Sequence, residues 1–240
     1  GKDIDGDGIG EPVWQHGKPI ESDSSLLLQT SDEFEESLIG HQWNWNHNPR
    51  RERFSFAERE GFLRLTASKP VAATRGKLKG PFWGAPNTLS QRQIGIGQTE
   101  VISKMDLSGL KQGTRAGICH FSGSFMQYGG QYAVFGVRGE ANGKRILFFV
   151  DHQGSDSGQI IDSDLIYLKS NTDFDEARFS WSLCGRIWNE TSYRYTLKFG
   201  NWRGNRVGLA CWNPRTDDSS KVGWIDVDYF RYAPSSRQNK

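Results

Sequence analysis

Cysteine, proline and histidine are all scarce in this 240-residue chain, which has three Cys, eight Pro and five His. Cys119, Cys184 and Cys211 are too few and too scattered for a disulfide framework or a zinc site. His47, His120 and His152 have no metal-site spacing, and neither a Gly-x-Ser-x-Gly elbow nor a Ser/His/Asp arrangement is visible. Gly95-Ile96-Gly97 is too short for a phosphate loop. Charge of one sign is missing too. The 30 basic and 28 acidic residues leave +2, with no basic footprint for nucleic acid and no acidic tail. No 18-residue apolar run supplies a membrane-spanning helix. The chain opens without a signal peptide, in a polar Asp/Gly stretch, as an excised or processed piece would. Helical periodicity is nearly absent: Asp32 to Leu38, capped by Ser31, offers one turn at most.

What is abundant is aromatic residues and glycine. There are 14 Phe, 9 Trp, 7 Tyr and 28 Gly, and nine Trp exceeds what a core of this size usually needs. Period-2 alternation recurs. Strands are expected over Phe62–Thr66, Thr99–Met105, Tyr132–Arg138, Arg145–Asp151, Tyr193–Phe199, Arg206–Trp212 and Gly223–Tyr232. Turn signals separate them, and Asn142-Gly143 between two apolar runs predicts a two-residue hairpin. Many strands without intervening helices predict an all-β fold, a two-sheet antiparallel β-sandwich or jelly roll. Residues 1–30 read as a polar connector, and residues 31–240 as one sandwich.

Four features carry possible chemistry. Asp3-Ile4-Asp5-Gly6-Asp7-Gly8-Ile9-Gly10-Glu11 has oxygen ligands at alternate positions and glycine for the turn, but Trp14 stands where a calcium loop needs its bidentate Glu. It is either a shortened calcium loop or an acidic linker. In Gln42-Trp43-Asn44-Trp45-Asn46-His47-Asn48-Pro49, extended backbone puts Trp43, Trp45 and His47 on one face and the three Asn on the other. Such mixtures bind sugars, although an aromatic pair on one strand more often plugs a core. Trp83, Trp202 and Trp212 stand near turns and are candidates for sugar or partner contact, whereas Trp181 and Trp224 sit within strands and belong to packing. Asp226 and Asp228 share a face of the last strand, so they cannot flank a bond from both sides; a cation or an Arg partner is expected instead. No active site is expected.

Several ordered segments resemble a known family. Leu38–Pro49, Gly61–Leu65, Asn87-Thr88-Leu89-Ser90-Gln91-Arg92, Gly113–Gly117, Gly136–Arg138 and Ile225–Tyr232 together look like the C-terminal concanavalin A-like β-sandwich of glycoside hydrolase family 43 β-xylosidases and arabinofuranosidases. The resemblance covers residues 31 to 233 and implies a carbohydrate-binding module of family 91, recognising xylan or arabinoxylan, beside a catalytic propeller absent from these 240 residues. It implies a non-catalytic chain, with Trp83, Trp202, Trp212, Asn46 and His47 as candidate sugar contacts. It also implies one structural calcium, carried by position to Glu33 and Asp228, with Asp3, Asp5 and Asp7 as a further candidate site. Relatives send an aromatic into the propeller from the region matching Trp202 to Trp212, where this chain has Arg206. The other role implied is a structural lid that completes the propeller. Either setting is secreted or periplasmic in a bacterium rather than cytoplasmic.

Overall fold

The protein is described by a computed structural model over residues 3–10, 17, 28–71, 80–94, 98–124, 129–173, 175–198 and 204–234. Its strands are β1 (Asn44–Trp45), β2 (Phe54–Ser55), β3 (Leu63–Thr66), β4 (Leu89–Arg92), β5 (Thr99–Asp106), β6 (Arg115–Ser124) and β7 (Gly129–Gly139). They continue as β8 (Arg145–Asp151), β9 (Ser155–Ile160), β10 (Leu165–Asp173), β11 (Glu176–Ser182), β12 (Asn189–Thr196), β13 (Arg206–Trp212) and β14 (Trp224–Pro234). Two antiparallel seven-stranded sheets result. The first runs β1-β4-β13-β6-β7-β8-β9, the second β12-β11-β10-β5-β14-β3-β2. This is the expected concanavalin A-like sandwich.

Alternation explains the second sheet. In β5 Val101 and Met105 are buried, and in β10 Ile166 and Leu168, with polar neighbours facing out. These inward residues meet Ile118, Phe135, Leu147 and Leu209 of the first sheet in one continuous core. The first sheet is apolar on both faces. Its outer side carries Cys119, Phe121, Tyr132, Val134, Phe148, Val150, Ala210 and Trp212, covered by Phe82, Trp83 and Ala85 in a second buried cluster. Continuous apolar runs such as Ile146–Val150 need cover on both faces.

Two local expectations change. Residues 32–38 form no helix: Asp32 pairs with Phe230 of β14 through hydrogen bonds of 2.9 and 2.8 Å, and Phe34 takes a positive φ of 54°. Pairing with a strand edge supplies those backbone groups with the partners a helical turn would have given them. The β7–β8 hairpin is longer than two residues. Glu140 N–H donates to the Lys144 carbonyl at 2.8 Å, leaving Ala141, Asn142 and Gly143 at the tip. Asn142 and Gly143 have φ of 64° and 74°, the left-handed turn that this dipeptide favours.

Candidate functional site

The candidate sugar contacts converge, but they are not an open platform. Trp83 is 4% exposed and Trp212 is fully buried, which corrects their expected place on the surface. The cause is the apolar outer face of the first sheet, to which Trp212 of β13 belongs and which Trp83 covers. Phe82 bridges them, 5.6 Å from the Trp83 ring and 6.5 Å from Trp212, and Tyr132 stacks on Phe82 at 4.8 Å. His47 lies at the rim, its Nε2 against the Trp83 carbonyl oxygen, and Asn46 N–H donates to the Thr88 carbonyl at 2.9 Å. Both are half-buried. Trp202 lies outside the described residues, as does Trp14.

The remaining tryptophans pack or carry cations. Trp43 stacks on Phe34, meets Phe230 edge to face and donates its indole N–H to Asp32 at 2.8 Å, while Trp45 packs on Phe54 at 4.7 Å. Trp181 is buried. The Trp224 ring lies beneath the Arg64 guanidinium and Trp188 beneath the Lys169 amine, so both are half-covered. Among the described residues no aromatic side chain is exposed. Arg206 is buried on β13, its guanidinium donating to the Ser90 hydroxyl and carbonyl at 3.0 Å each, and so does not project as a propeller-directed side chain.

The carboxylates are neutralised in place. Asp226, 1% exposed, receives Arg64 at 2.7 and 2.8 Å and Arg59 at 3.5 Å, and Arg59 also reaches Asp106 at 2.7 Å. Of the cation or Arg partner expected, the Arg is found. Hydrogen bonding to Asp226 raises the Arg64 pKa, and hydrogen bonding to Asp106 raises that of Arg59. Burial pushes the Asp106 carboxyl up, but hydrogen bonds from Ser108 and Arg59 outweigh it and hold the group below the usual range. Asp106 and Asp226 sit directly opposite each other on β5 and β14. With both held by guanidinium, neither is a free acid or base.

A register shift falls between Val227 and Tyr229, so Asp228 has no cross-strand partner on β5 and the simple shared face with Asp226 is broken. Asp228 instead accepts from Lys104 at 2.5 Å. Glu33 accepts two hydrogen bonds from Arg231 at 2.8 and 2.9 Å. The donor set implied for calcium at Glu33 and Asp228 therefore does not fit a cation, because each carboxylate already faces one. Asp3, Asp5 and Asp7 are the one acidic cluster among the described residues whose oxygens lie within 4.8 Å of one another. All three are exposed, and they accept backbone N–H groups of Gly6, Asp7, Gly8 and Ile9.

One open concavity stands apart from these. A cleft of about 360 Å³ lies between the segment before β6 and the segment after β13, lined by Lys111, Gln112, Asn213, Arg215, Thr216 and Lys221. Asn213 organises it. Fully buried, it donates to the Gln112 carbonyl at 3.1 Å and accepts the Arg215 N–H at 3.0 Å, tying the two segments together. Asn213 N–H also donates to the Ser68 carbonyl at 3.0 Å. The lining offers amide, hydroxyl and cationic groups, which bind hydroxylated or anionic ligands but have no carboxylate for acid–base work. None of these residues was singled out in the sequence. The segments lie about a hundred positions apart, and the available signal was only basic residues beside turn residues in Lys111-Gln-Gly-Thr-Arg115 and Asn213-Pro-Arg215.

Comparison with known proteins gives the family. Residues 31–233 match the beta xylosidase C-terminal concanavalin A-like domain. A beta-xylosidase of Formosa agariphila is 37% identical over 247 aligned positions, covering 97% of this chain and 40% of that protein. A putative beta-xylosidase of Xylanibacter ruminicola is 27% identical over 219 positions, covering 87% and 36%. The chain thus spans two-fifths or less of the curated relatives it matches. Among solved structures, a bifunctional GH43-CE protein of Bacteroides eggerthii aligns with a TM-score of 0.69 at 26% identity, over 86% of this chain and 26% of that one. The xylan beta-1,4-xylosidase of Bacillus halodurans shares the fold with a TM-score of 0.70 at 18% identity, over 94% and 43%. With the sandwich and the family match in agreement, this chain belongs to the beta-xylosidase C-terminal concanavalin A-like domain family.

Proposed function

We propose that the domain is a non-catalytic carbohydrate-binding module that holds xylan or arabinoxylan for an attached family 43 hydrolase propeller. One observation carries this reading: the open cleft is lined by amide, hydroxyl and cationic groups suited to sugar hydroxyls, with no carboxylate among its lining residues. Burial of Trp83 and Trp212 supports a polar mode of recognition over ring stacking by these two residues. Affinity electrophoresis of the 240-residue chain in arabinoxylan tests the reading, with retarded migration expected and unretarded migration refuting it. A polymeric substrate places such a module outside the cytoplasm, secreted or periplasmic.

The burial of those tryptophans favours a second reading, a structural lid. If the domain serves mainly to complete the propeller, adding it to the separately produced propeller raises that partner's melting temperature and activity, without retardation in arabinoxylan. Calcium at Asp3, Asp5 and Asp7 belongs to the proposal as well, through acidic oxygens within 4.8 Å of one another. Calorimetric titration of the chain and of a D3A/D5A/D7A variant tests it, and equal heats from the two would end it.

A further inference from the structure

The cleft that supports sugar binding holds more positive charge than a neutral polymer requires. Lys111, Arg215 and Lys221 line it, and Arg115 stands beside it, directly cross-strand from Trp212. Arg115 is half-buried and close to both Arg138 and Arg215. Burial, then the charges of those two arginines, hold its guanidinium below the ordinary range. Two carboxylates answer these five cations. Glu140 takes Arg138 at 2.7 Å, and Asp218 takes Lys221 at 3.2 Å. Lys111 donates to the Ser220 carbonyl at 3.0 Å and has no carboxylate within 4 Å among the described residues. Arg115 and Arg215 have no carboxylate within 4 Å among the described residues. An excess of three positive charges in one corner exceeds the net +2 of the whole chain, so it is a local concentration rather than a reflection of composition. Guanidinium groups crowded together without acids repel one another, and a bound oxyanion relieves that while accepting paired hydrogen bonds.

We propose that the cleft lined by Lys111, Asn213, Arg215 and Lys221, with Arg115 beside it, binds an acidic sugar residue on the glycan, its oxyanion held by Arg215 and reached by Arg115. This rests on the carbohydrate-binding reading and deepens it. A volume of about 360 Å³ is at the small end for ligand sites and suits one sugar unit rather than a long chain. The Thr216 hydroxyl and the Gln112 side chain are left for its hydroxyls. A uronate carboxylate and a sulfate ester offer the same oxygen chemistry, so the test carries both.

Titration calorimetry of the chain compares xylotetraose, the same oligosaccharide bearing one glucuronate branch, and a sulfated xylotetraose. At about 20 mM NaCl the glucuronate-bearing probe binds roughly tenfold more tightly than the neutral one, and the gap shrinks at about 500 mM. Arg215→Gln, at an exposed position, narrows the gap, and R115Q/R215Q closes it, each variant's affinity for the acidic probe being read against its own affinity for xylotetraose. A larger gain for the sulfated probe supports the same site with sulfate as the source. Equal affinity for neutral and acidic probes, or a preference that survives both substitutions, overturns the inference while leaving xylan binding intact. Arginine-dependent binding of the acidic probe without any xylotetraose binding upholds the site and ends the xylan reading.

Discussion

Arg64 grips Asp226 with two donors, Nε at 2.7 Å and Nη2 at 2.8 Å, while its Cζ lies 3.7 Å from the centre of the Trp224 ring. One guanidinium therefore neutralises the buried carboxylate of β14 and covers an aromatic that would otherwise face water. Removing it leaves the carboxylate, at a site 1% exposed, with only the longer contact to Arg59 at 3.5 Å. Arg64→Ala lowers unfolding free energy by about 3 kcal/mol, the lower end for a broken buried pair, because Arg59 remains nearby. Arg64→Lys recovers less than half, since an ammonium cannot reproduce both the fork and the flat contact with the ring. Urea unfolding of the three proteins checks this, and an Ala variant within 0.5 kcal/mol or so of the parent would contradict it.

The buried tryptophans give a second test. Trp212→Ala opens a cavity in the outer cluster of the first sheet and costs about 3–5 kcal/mol. Iodide quenching reads the same geometry without mutation. Emission from Trp83 and Trp212, isolated by Trp→Phe substitution elsewhere, stays shielded from the ion. Ready quenching of either would show that the aromatic cluster opens in solution and would restore the stacking platform expected from sequence.

How much of this was legible follows from what local sequence can report. Strand β8 was placed residue for residue because the run from Ile146 to Val150 is apolar and bounded by Arg145 and Asp151. Strand β10 was missed because its inward positions change from Ile166 and Leu168 to Ser170 and Thr172, so the alternation fades halfway along. The surface placement of Trp83 and Trp212 failed for a tertiary reason. Turn residues beside a tryptophan signal exposure only when the sheet beneath is polar, and here Phe121, Val134 and Phe148 make its outer face apolar. The same runs that read as strands already implied two buried faces. The cleft was invisible, since Lys111 and Arg215 meet only once β6 and β13 are paired.

Glu33 and Asp228 separate a salt bridge from a metal site. Both partners of the Glu33–Arg231 pair are largely exposed, so Glu33→Gln costs no more than about 1 kcal/mol. Melting curves with and without calcium show the same shift, or the same absence of one, in parent, E33Q and D228N. A calcium-induced rise in melting temperature that disappears in both variants would reinstate the cation at the meeting of the chain's two ends.

His120 supplies the pH dependence. Its ring is 1% exposed between the sheets, with Nε2 at 2.7 Å from the Ser170 hydroxyl and the rings of Phe179 and Tyr195 beside it. Burial pushes its pKa down to about 3, from 6.5 in the unfolded chain. Above pH 6.5 the imidazole is neutral in both states and pH has no leverage through it. Below that value the unfolded chain takes up a proton that the folded core refuses, so stability falls as the solution is acidified towards pH 3. The slope approaches about 1.4 kcal/mol per pH unit for one such group. His120→Gln cannot take up that proton and removes the dependence, whatever it does to stability at neutral pH. Urea unfolding at intervals from pH 7 to pH 4 is therefore expected to show the parent losing roughly 3 kcal/mol more than the variant over the range. Parallel curves for the two proteins would mean that the imidazole is hydrated or protonated inside the fold, and that the sheets part at this end of the sandwich.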